Sequence, residues 1–165
     1  MAVLDDWAFC PRCGGPLTLH DGHATCAGCG QQYWANSIPA VQGVLERDGR
    51  VLLARRANEP RRGHWDLPGG FLDEAEEPLN GLRREFREET GLEIEPLELM
   101  RIDIEPYLDR YVFCVTWTVR GAGEPLAADD VAELRWFARE ELPEEMAFPS
   151  QAVVLREWAQ RGQHA

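Results

Sequence analysis

The sequence predicts a chain of two parts, a small cysteine-rich module followed by a larger domain of the α+β class. Four of the five cysteines lie within the first 29 of 165 residues, arranged as two C-x-x-C pairs. Beyond Trp34, apolar residues alternate in several short segments that flank one longer stretch with helical spacing. Strands before and after one central helix are typical of an α+β domain. We place the two parts at residues 1–35 and 36–165.

The cysteine pairs predict a zinc ribbon. Each C-x-x-C knuckle brings two thiolates to one ion, and two knuckles close a tetrahedron. Short strands are expected over Leu17–His20 and near Gln32–Trp34. Two disulfides are the alternative, but they need an oxidising compartment. We interpret His20 and His23 as solvated turn residues. The predicted zinc ligands are Cys10, Cys13, Cys26 and Cys29.

The larger domain is divided by turn residues into strands and two helices. A helix is expected over 78–90, because Pro78 suits a first turn and Gly91 suits a C-terminal stop. A second helix is expected over 150–160. The segment 58–63 is interpreted as a loop, and 65–71 as a strand broken by Pro68-Gly69-Gly70. The remaining predicted strands are 38–45, 51–56, 97–104, 111–119 and 131–137.

The central helix carries three glutamates on one face. Glu85, Glu88 and Glu89 are spaced i, i+3 and i+4, while its apolar residues lie on a neighbouring face. Like charges at this spacing repel unless something compensates them, and Mg²⁺ prefers such oxygen ligands. Arg84 lies four residues before Glu88 and is placed to orient it. A merely solvated acidic face is the alternative for a helix of this composition.

The residues before the helix complete a known signature. The turn Asp66-Leu-Pro-Gly-Gly70 leads to Glu76 and then to the helix, and the run G-x5-E-x7-R-E-F-x-E-E-x-G-L spans residues 70–92. Every fixed position of the Nudix box is filled, so the chain resembles a Nudix hydrolase. The ribbon, with Tyr33 and Pro39-Ala-Val, resembles the arrangement in NADH pyrophosphatases. The Ser-Gln-Pro-Trp-type motif of that subfamily is absent from 99–107, where it would be expected.

The resemblance implies a mixed sheet between helices and hydrolysis of a nucleoside diphosphate derivative, a dinucleotide or nucleotide sugar such as NADH or ADP-ribose. It also implies roles for particular residues. Mg²⁺ or Mn²⁺ would be held by Glu85, Glu88, Glu89 and the carbonyl group of Gly69. Arg84 and Glu76 would form a supporting pair that keeps the metal carboxylates aligned. The expected catalytic set is Glu85, Glu89, Arg84 and Glu76.

Four further residues are candidates for contact with substrate. Arg56 is a candidate for phosphate binding, although Arg55, Arg61 and Arg62 are equally consistent with solvated loop charges. Trp65 and Tyr107 are candidates for stacking on a base, with core packing as the alternative. A carboxylate of the box, or a glutamate outside it, would activate water. Glu133 is the outside candidate, and a solvated strand residue is its alternative interpretation.

Composition limits the partners. Lys and Arg total 17 against 29 Asp and Glu, a formal net charge of −12, which argues against a surface for polymeric DNA or RNA. No stretch is apolar enough to span a bilayer, and 1–6 lacks the features of a signal peptide. We expect a cytoplasmic protein with a small nucleotide substrate. Dimers are common among relatives, so a homodimer is one expectation. The alternative function is a catalytically silent nucleotide sensor or adaptor whose ribbon docks a protein.

Overall fold

The computed structural model describes residues 4–161, which form two compact units. Of the described residues, the first unit contains 4–38 and Pro106–Val112, and the second contains Pro39–Glu105 and 113–161. The boundary expected after residue 35 stays a prediction. The first residues of the segment used in the signal-peptide argument, 1–3, lie outside the described residues. No helix within 4–161 has both the length and the apolar character needed to cross a membrane.

The first unit contains a three-stranded antiparallel sheet. Its strands are β1 (Leu17–His20), β2 (His23–Cys26) and β3 (Gln32–Trp34), in that order across the sheet. Both expected strands are present. The middle strand was not expected, because four residues with only Ala24 and Cys26 buried give too little alternation to detect. It follows β1 through a tight turn at Gly22, whose φ of 76° suits glycine.

The second unit is built on a seven-stranded sheet. Its central order is β10-β5-β4-β9-β8, with β6 paired to β5 and β7 paired to β4. A short 3-10 helix, Arg139–Glu141, and two α-helices complete it. The strands are β4 (Ile38–Arg47), β5 (Arg50–Arg56), β6 (Trp65–Asp66), β7 (Gly69–Phe71), β8 (Ile94–Tyr107), β9 (Arg110–Gly121) and β10 (Val131–Ala138), and the helices are α1 (Pro78–Thr90) and α2 (Pro149–Arg161).

The prediction of α1 is confirmed at both ends. The helix begins after Glu77, whose carboxylate accepts a hydrogen bond from the backbone N–H of Asn80 at 3.0 Å. It ends at Gly91, which adopts the left-handed conformation and donates its N–H to the carbonyl of Arg87. Strand β8 extends past the predicted 97–104 at both ends. It lies at the edge of the sheet, the position in which strands tolerate prolines such as Pro96 and Pro106.

The sheet of the second unit lies between the two α-helices, as expected. Neighbouring residues of a strand point to opposite faces, so Leu45 packs on the side of α1 while Val44 packs on the side of α2. The first helix contributes Leu82 and Phe86 to its cluster. The second contributes Val154, Leu155 and Trp158 to the other. The hydrophobic face of α1 is thereby fixed to the sheet, and its other face is turned away from this core.

The contact between α1 and β4 requires a glycine. A Cβ atom at Gly43 would lie 2.6 Å from the Phe86 ring, closer than carbon atoms approach each other in proteins. Phe86 is fully buried, so its ring has no free space into which to move. The missing side chain at position 43 therefore sets how closely the acidic helix approaches the sheet.

We expect Gly43→Ala to lower the free energy of unfolding by about 1–3 kcal/mol, because the added methyl group overpacks the core. Phe86→Leu in the same chain should relieve part of that loss, with a coupling energy of at least about 0.5 kcal/mol. Urea denaturation of the two single variants and the double variant measures both quantities. Additive effects of the two substitutions would contradict the proposed contact.

Candidate active site and cysteine cluster

The turn at Gly69 and Gly70 is pressed against the acidic face of α1. The backbone N–H of Gly69 donates a hydrogen bond to Oε2 of Glu89 at 2.8 Å. A Cβ atom at Gly69 would overlap the Val41 carbonyl oxygen, and one at Gly70 would lie 2.6 Å from the Glu85 carboxylate. At position 69 only glycine permits this approach, because the clash would be with backbone atoms and φ is 150°. The two glycines of the turn thus bring its backbone close to the carboxylates of Glu85 and Glu89.

Arg84 connects most of the acidic side chains of the box. Its guanidinium donates to both carboxylate oxygens of Glu76, at 2.9 and 2.8 Å. A third nitrogen lies 2.7 Å from Glu85 and 3.0 Å from Glu88. The fork geometry of arginine permits this multiple pairing, which lysine would not reproduce. Arg84 also donates to the carbonyl of Phe71, so it ties the turn to the helix.

The three glutamates of the helix differ in exposure. Glu89 is buried, the Glu85 side chain is 12% exposed, and that of Glu88 is 46% exposed. Burial raises the pKa of Glu85, with Arg84 opposing the shift. Burial also raises the pKa of Glu89 well above its ordinary value, and the charges of Asp66, Asp130 and Glu85 add to this. A cation among these groups would favour their ionised forms.

The oxygen donors suit a hard divalent ion, although the carboxylates of Glu85, Glu88 and Glu89 do not all meet at one point. Among residues 4–161, the four cysteines form the one set of three or more potential ligands whose atoms lie within 4.8 Å of one another. The Glu85, Glu88 and Glu89 carboxylates are spread more widely, and Arg84 lies between the first two. Asp130 was missed in the sequence. It precedes β10 without any box spacing, and its charge acts on both Glu85 and Glu89.

Arg56 is held in place by its neighbours. It donates to Oδ2 of Asp66 at 2.7 Å and to the carbonyl of Pro60 at 2.9 Å. Asp66 also accepts a hydrogen bond from Gln151, at the start of α2, and burial raises the pKa of Asp66. Arg56 thus links the loop after β5 to the strand that precedes the glycine turn. Its expected contact with phosphate stays a prediction.

The two aromatic candidates lie in different units. Trp65 is partly buried against the core on the α2 side and meets Phe137 edge to face, with ring centroids 4.8 Å apart. This arrangement is the core packing named as the alternative for Trp65. Tyr107 ends β8 and belongs to the first unit, whereas the Nudix box belongs to the second.

Arg56 and Glu133 both line a cleft of about 300 Å³ at the end of β5. Glu133 lies 3.4 Å from Arg55, and its side chain is 46% exposed. The cleft also contains Arg62, one of the arginines that are equally consistent with solvated loop charges in the sequence, and its wall includes Ala57, Gly63 and Ala132. Sequence patterns gave no signal for it, since its walls come from residues about 75 positions apart along the chain.

The four cysteines of the first unit converge on one point. The Sγ atoms of Cys10 and Cys29 are 3.8 Å apart, and those of Cys13 and Cys26 are 3.5 Å apart. Four zinc–sulfur bonds of about 2.3 Å would separate the sulfurs by about 3.8 Å, so the spacing fits a tetrahedral metal site. Two backbone N–H groups, of Gly28 and Cys29, point to Cys26 Sγ. Of the described cysteines, only Cys114 lies outside this set, buried in β9.

Tyr33 extends the cysteine cluster. Its hydroxyl lies 3.2 Å from Cys10 Sγ, and this hydrogen bond is the main reason why the pKa of Cys10 is lowered to about 6. The same bond raises the pKa of Tyr33 to about 12. Trp7 packs edge-on against the tyrosine ring at 5.8 Å. Such an arrangement favours a thiolate, the form in which cysteine binds metal.

Comparison with known proteins agrees with this arrangement of strands and helices. Residues 37–158 match the NUDIX domain family. An ADP-ribose pyrophosphatase of Methanocaldococcus jannaschii is 33% identical over 118 residues, 70% of this chain and 69% of that protein. The crystal structure of a NUDIX hydrolase from Nitrosomonas europaea aligns with a TM-score of 0.83 and 27% identity, covering 95% of this chain and 93% of the other.

A relative with a different printed activity aligns with more of this chain than the archaeal enzyme does. The NAD-capped RNA hydrolase NudC of Stutzerimonas stutzeri is 26% identical over 152 residues, which are 90% of this chain. This chain spans about half of that protein, 53% of its length. The fold and the site define a hydrolase. The chain belongs to the NUDIX domain family, because the match covers most of its length.

We expect Glu76→Gln to lower the free energy of unfolding by about 1–3 kcal/mol at pH 7, because a charged hydrogen-bonded pair with Arg84 is lost. The pKa of Glu76 falls from 4.5 to about 2 in the folded protein, mainly through Arg84. A carboxylate whose pKa is lowered by folding stabilises the folded protein at pH values above its unfolded pKa. This stabilisation is lost as the pH falls to the folded pKa. The difference between wild type and variant should therefore shrink from pH 4.5 to about 2.

Urea denaturation at several pH values measures this difference. Glu74→Gln is the matched control, since Glu74 is exposed and lies two residues away. It should leave stability almost unchanged across the same range. A Glu76→Gln effect that does not vary with pH would show that charge pairing with Arg84 is not its cause.

Proposed function

We propose that this chain is a metal-dependent pyrophosphohydrolase that cleaves the diphosphate linkage of a nucleoside diphosphate derivative. The observation that carries the proposal is the convergence of Glu85 and Glu89 on the glycine turn, with Arg84 tied to Glu76 beside them. The printed activity of the archaeal relative, an ADP-ribose pyrophosphatase, agrees with this class of reaction. Its substrate would be a dinucleotide or nucleotide sugar such as NADH or ADP-ribose.

Glu85, Glu88 and Glu89 would hold Mg²⁺ or Mn²⁺, with the Gly69 carbonyl as a further ligand. Carboxylate and carbonyl oxygens are the donors that such ions prefer. The bound ion would neutralise the charge of the diphosphate and lower the pKa of the attacking water. Arg84 holds Glu85 and Glu88 by its guanidinium, so it sets where these two carboxylates point. The hydrogen bond from Gly69 to Glu89 sets the third.

Glu133 is the less favoured candidate for the base that activates water. It lies on β10, outside the box, and its nearest cation is the Arg55 guanidinium at 3.4 Å. Glu89 is buried beside the turn, among the carboxylates that would hold the metal. We therefore assign the proton-accepting role to a carboxylate of the box.

The test is a panel of nucleoside diphosphate derivatives with Mg²⁺ and Mn²⁺, with the products identified by mass. Release of AMP from ADP-ribose or NADH would place cleavage within the diphosphate. Glu88→Gln should lower kcat at least about 100-fold, since the loss of even an outer partner of a metal site costs 10- to 100-fold. Its fold should persist, because that side chain is half exposed.

Glu93→Gln is the matched control for this variant. Glu93 is exposed three residues after the last residue of the same helix, and among the described residues its side chain pairs with Arg87 alone. Its substitution should leave kcat unchanged. Wild-type turnover by Glu88→Gln would refute the assigned metal role, and a panel without any product would refute the proposed function.

We further propose that the cysteine cluster binds structural zinc and forms a zinc ribbon. The spacing of the sulfur atoms and the hydrogen bond between Tyr33 and Cys10 support this proposal. A module this small has little core of its own, so a metal would supply much of its folding free energy. Three acidic residues against a single arginine, Arg12, over 4–29 also disfavour a nucleic-acid finger.

We expect the purified protein to contain one zinc ion per chain, measured by elemental analysis. Cys13→Ser should abolish stoichiometric zinc and speed amide hydrogen exchange in 4–38, because the metal no longer holds the two knuckles together. Cys114→Ala is the control, since this cysteine lies outside the cluster. Full zinc content in Cys13→Ser would exclude the proposed ligand set.

A further inference from the structure

The cleft at the end of β5 owes its shape to an irregularity in β10. Val131 pairs with Arg56 and Glu133 pairs with Arg55, so Ala132 is an extra residue without a partner on β5. Such a bulge opens the ladder locally and redirects the side chains beside it. The opposite wall comes from the chain after β5, which folds back so that Gly63 donates its N–H to the carbonyl of Arg56 at 2.9 Å.

The cleft is basic, although the protein carries a formal net charge of −12. Three arginines line it, with Glu133 as its single acidic residue. Arg56 is neutralised by Asp66 at 2.7 Å, and Arg55 faces Glu133 at 3.4 Å. Arg62 is exposed and makes no ion pair with any residue in 4–161. Its positive charge is therefore available to a bound anion.

The cleft is also joined to the candidate active site. Arg56 binds Asp66, which lies three residues before Gly69, and Gly69 holds Glu89. On the other wall, Ala57 donates its backbone N–H to the carbonyl of Asp130 at 2.8 Å. A substrate whose diphosphate lies at the box glutamates would therefore have another part of the molecule near these arginines.

We propose that the cleft is a subsite for a phosphate group that the substrate carries in addition to the diphosphate that is cleaved, and that Arg62 binds this phosphate. This inference rests on the proposed function. The planar guanidinium matches phosphate oxygens in pairs, and small residues at 57, 63 and 132 leave room for the group. Arg55 compensates Glu133, which would otherwise repel an anion.

Two kinds of nucleotide carry such a phosphate. One is the terminal phosphate of a nucleoside triphosphate, and the other is a phosphate on the ribose of a dinucleotide. Matched ligand pairs separate them, because ATP and ADP differ only in the first group and NADPH and NADH only in the second. We expect the wild type to prefer the phosphorylated member of one pair by about tenfold or more in kcat/KM.

Arg62→Gln should abolish that preference and leave kcat/KM for the other member nearly unchanged. Arg156→Gln is the matched control. Arg156 is exposed on α2, makes no ion pair with the described residues and carries the same charge, so its removal should leave the preference intact. The preference should also weaken with increasing salt in the wild type, because the contact is exposed.

Binding of the same four ligands without divalent ions, measured by titration calorimetry, separates this inference from the proposed function. If the titration shows discrimination that depends on Arg62, and the panel with Mg²⁺ and Mn²⁺ shows no hydrolysis, the proposed enzyme activity is refuted and the subsite is supported. Equal treatment of both members of each pair would overturn the subsite and leave the enzyme. An equal loss for all four ligands in Arg62→Gln would also overturn it, because Arg62 would then contact the cleaved diphosphate itself.

Discussion

Negative charge concentrated on one face of α1 is the constraint around which the candidate site is built. Glu85, Glu88 and Glu89 repel one another, and burial of two of them strengthens that effect. Within the described residues, one guanidinium compensates part of this charge: that of Arg84, which contacts Glu76, Glu85 and Glu88. This arrangement leaves Glu89 without a cationic partner among its hydrogen bonds and keeps it beside a backbone N–H. Such a site is suited to a dication, which would supply the remaining positive charge.

Two glycines allow the backbone to come close to side chains of α1, and these contacts help to position the helix in the second unit. The absence of a side chain at Gly43 allows Phe86 to pack α1 on the sheet, and the absence of one at Gly70 allows the Glu85 carboxylate to lie against the turn. The two contacts fix neighbouring faces of the same helix. The positions of the carboxylates therefore depend on core packing as much as on charge. A variant that moves α1 by a few tenths of an ångström would alter both the core and the site.

Short-range signals predicted a large part of this molecule. The ends of α1 follow from Pro78 and Gly91, and the spacing of the cysteines predicts the cluster that the fold forms. Contacts between distant segments were not predictable in the same way. Arg55 and Glu133 are 78 residues apart, and nothing in either segment indicates that they meet. The extra residue at 132 is visible only from the pairing of β10 with β5. Spacing also gives no measure of depth, so the contrast between buried Glu89 and half-exposed Glu88 became apparent only in the fold.

Because Ala132 has no partner on β5, deletion of this one residue would change the width of the cleft at the end of β5. Loss of this one residue would leave Val131 opposite Arg56 and Glu133 opposite Arg55, so the ladder from Glu133 to Ala138 would keep its present alignment. Side chains that pack into the core from β10, such as Phe137, would not change faces. A single-codon deletion could therefore narrow the opening without disturbing the interior. Divergence among descendants of this chain has a simple route here, through indels at one position rather than through many coordinated substitutions.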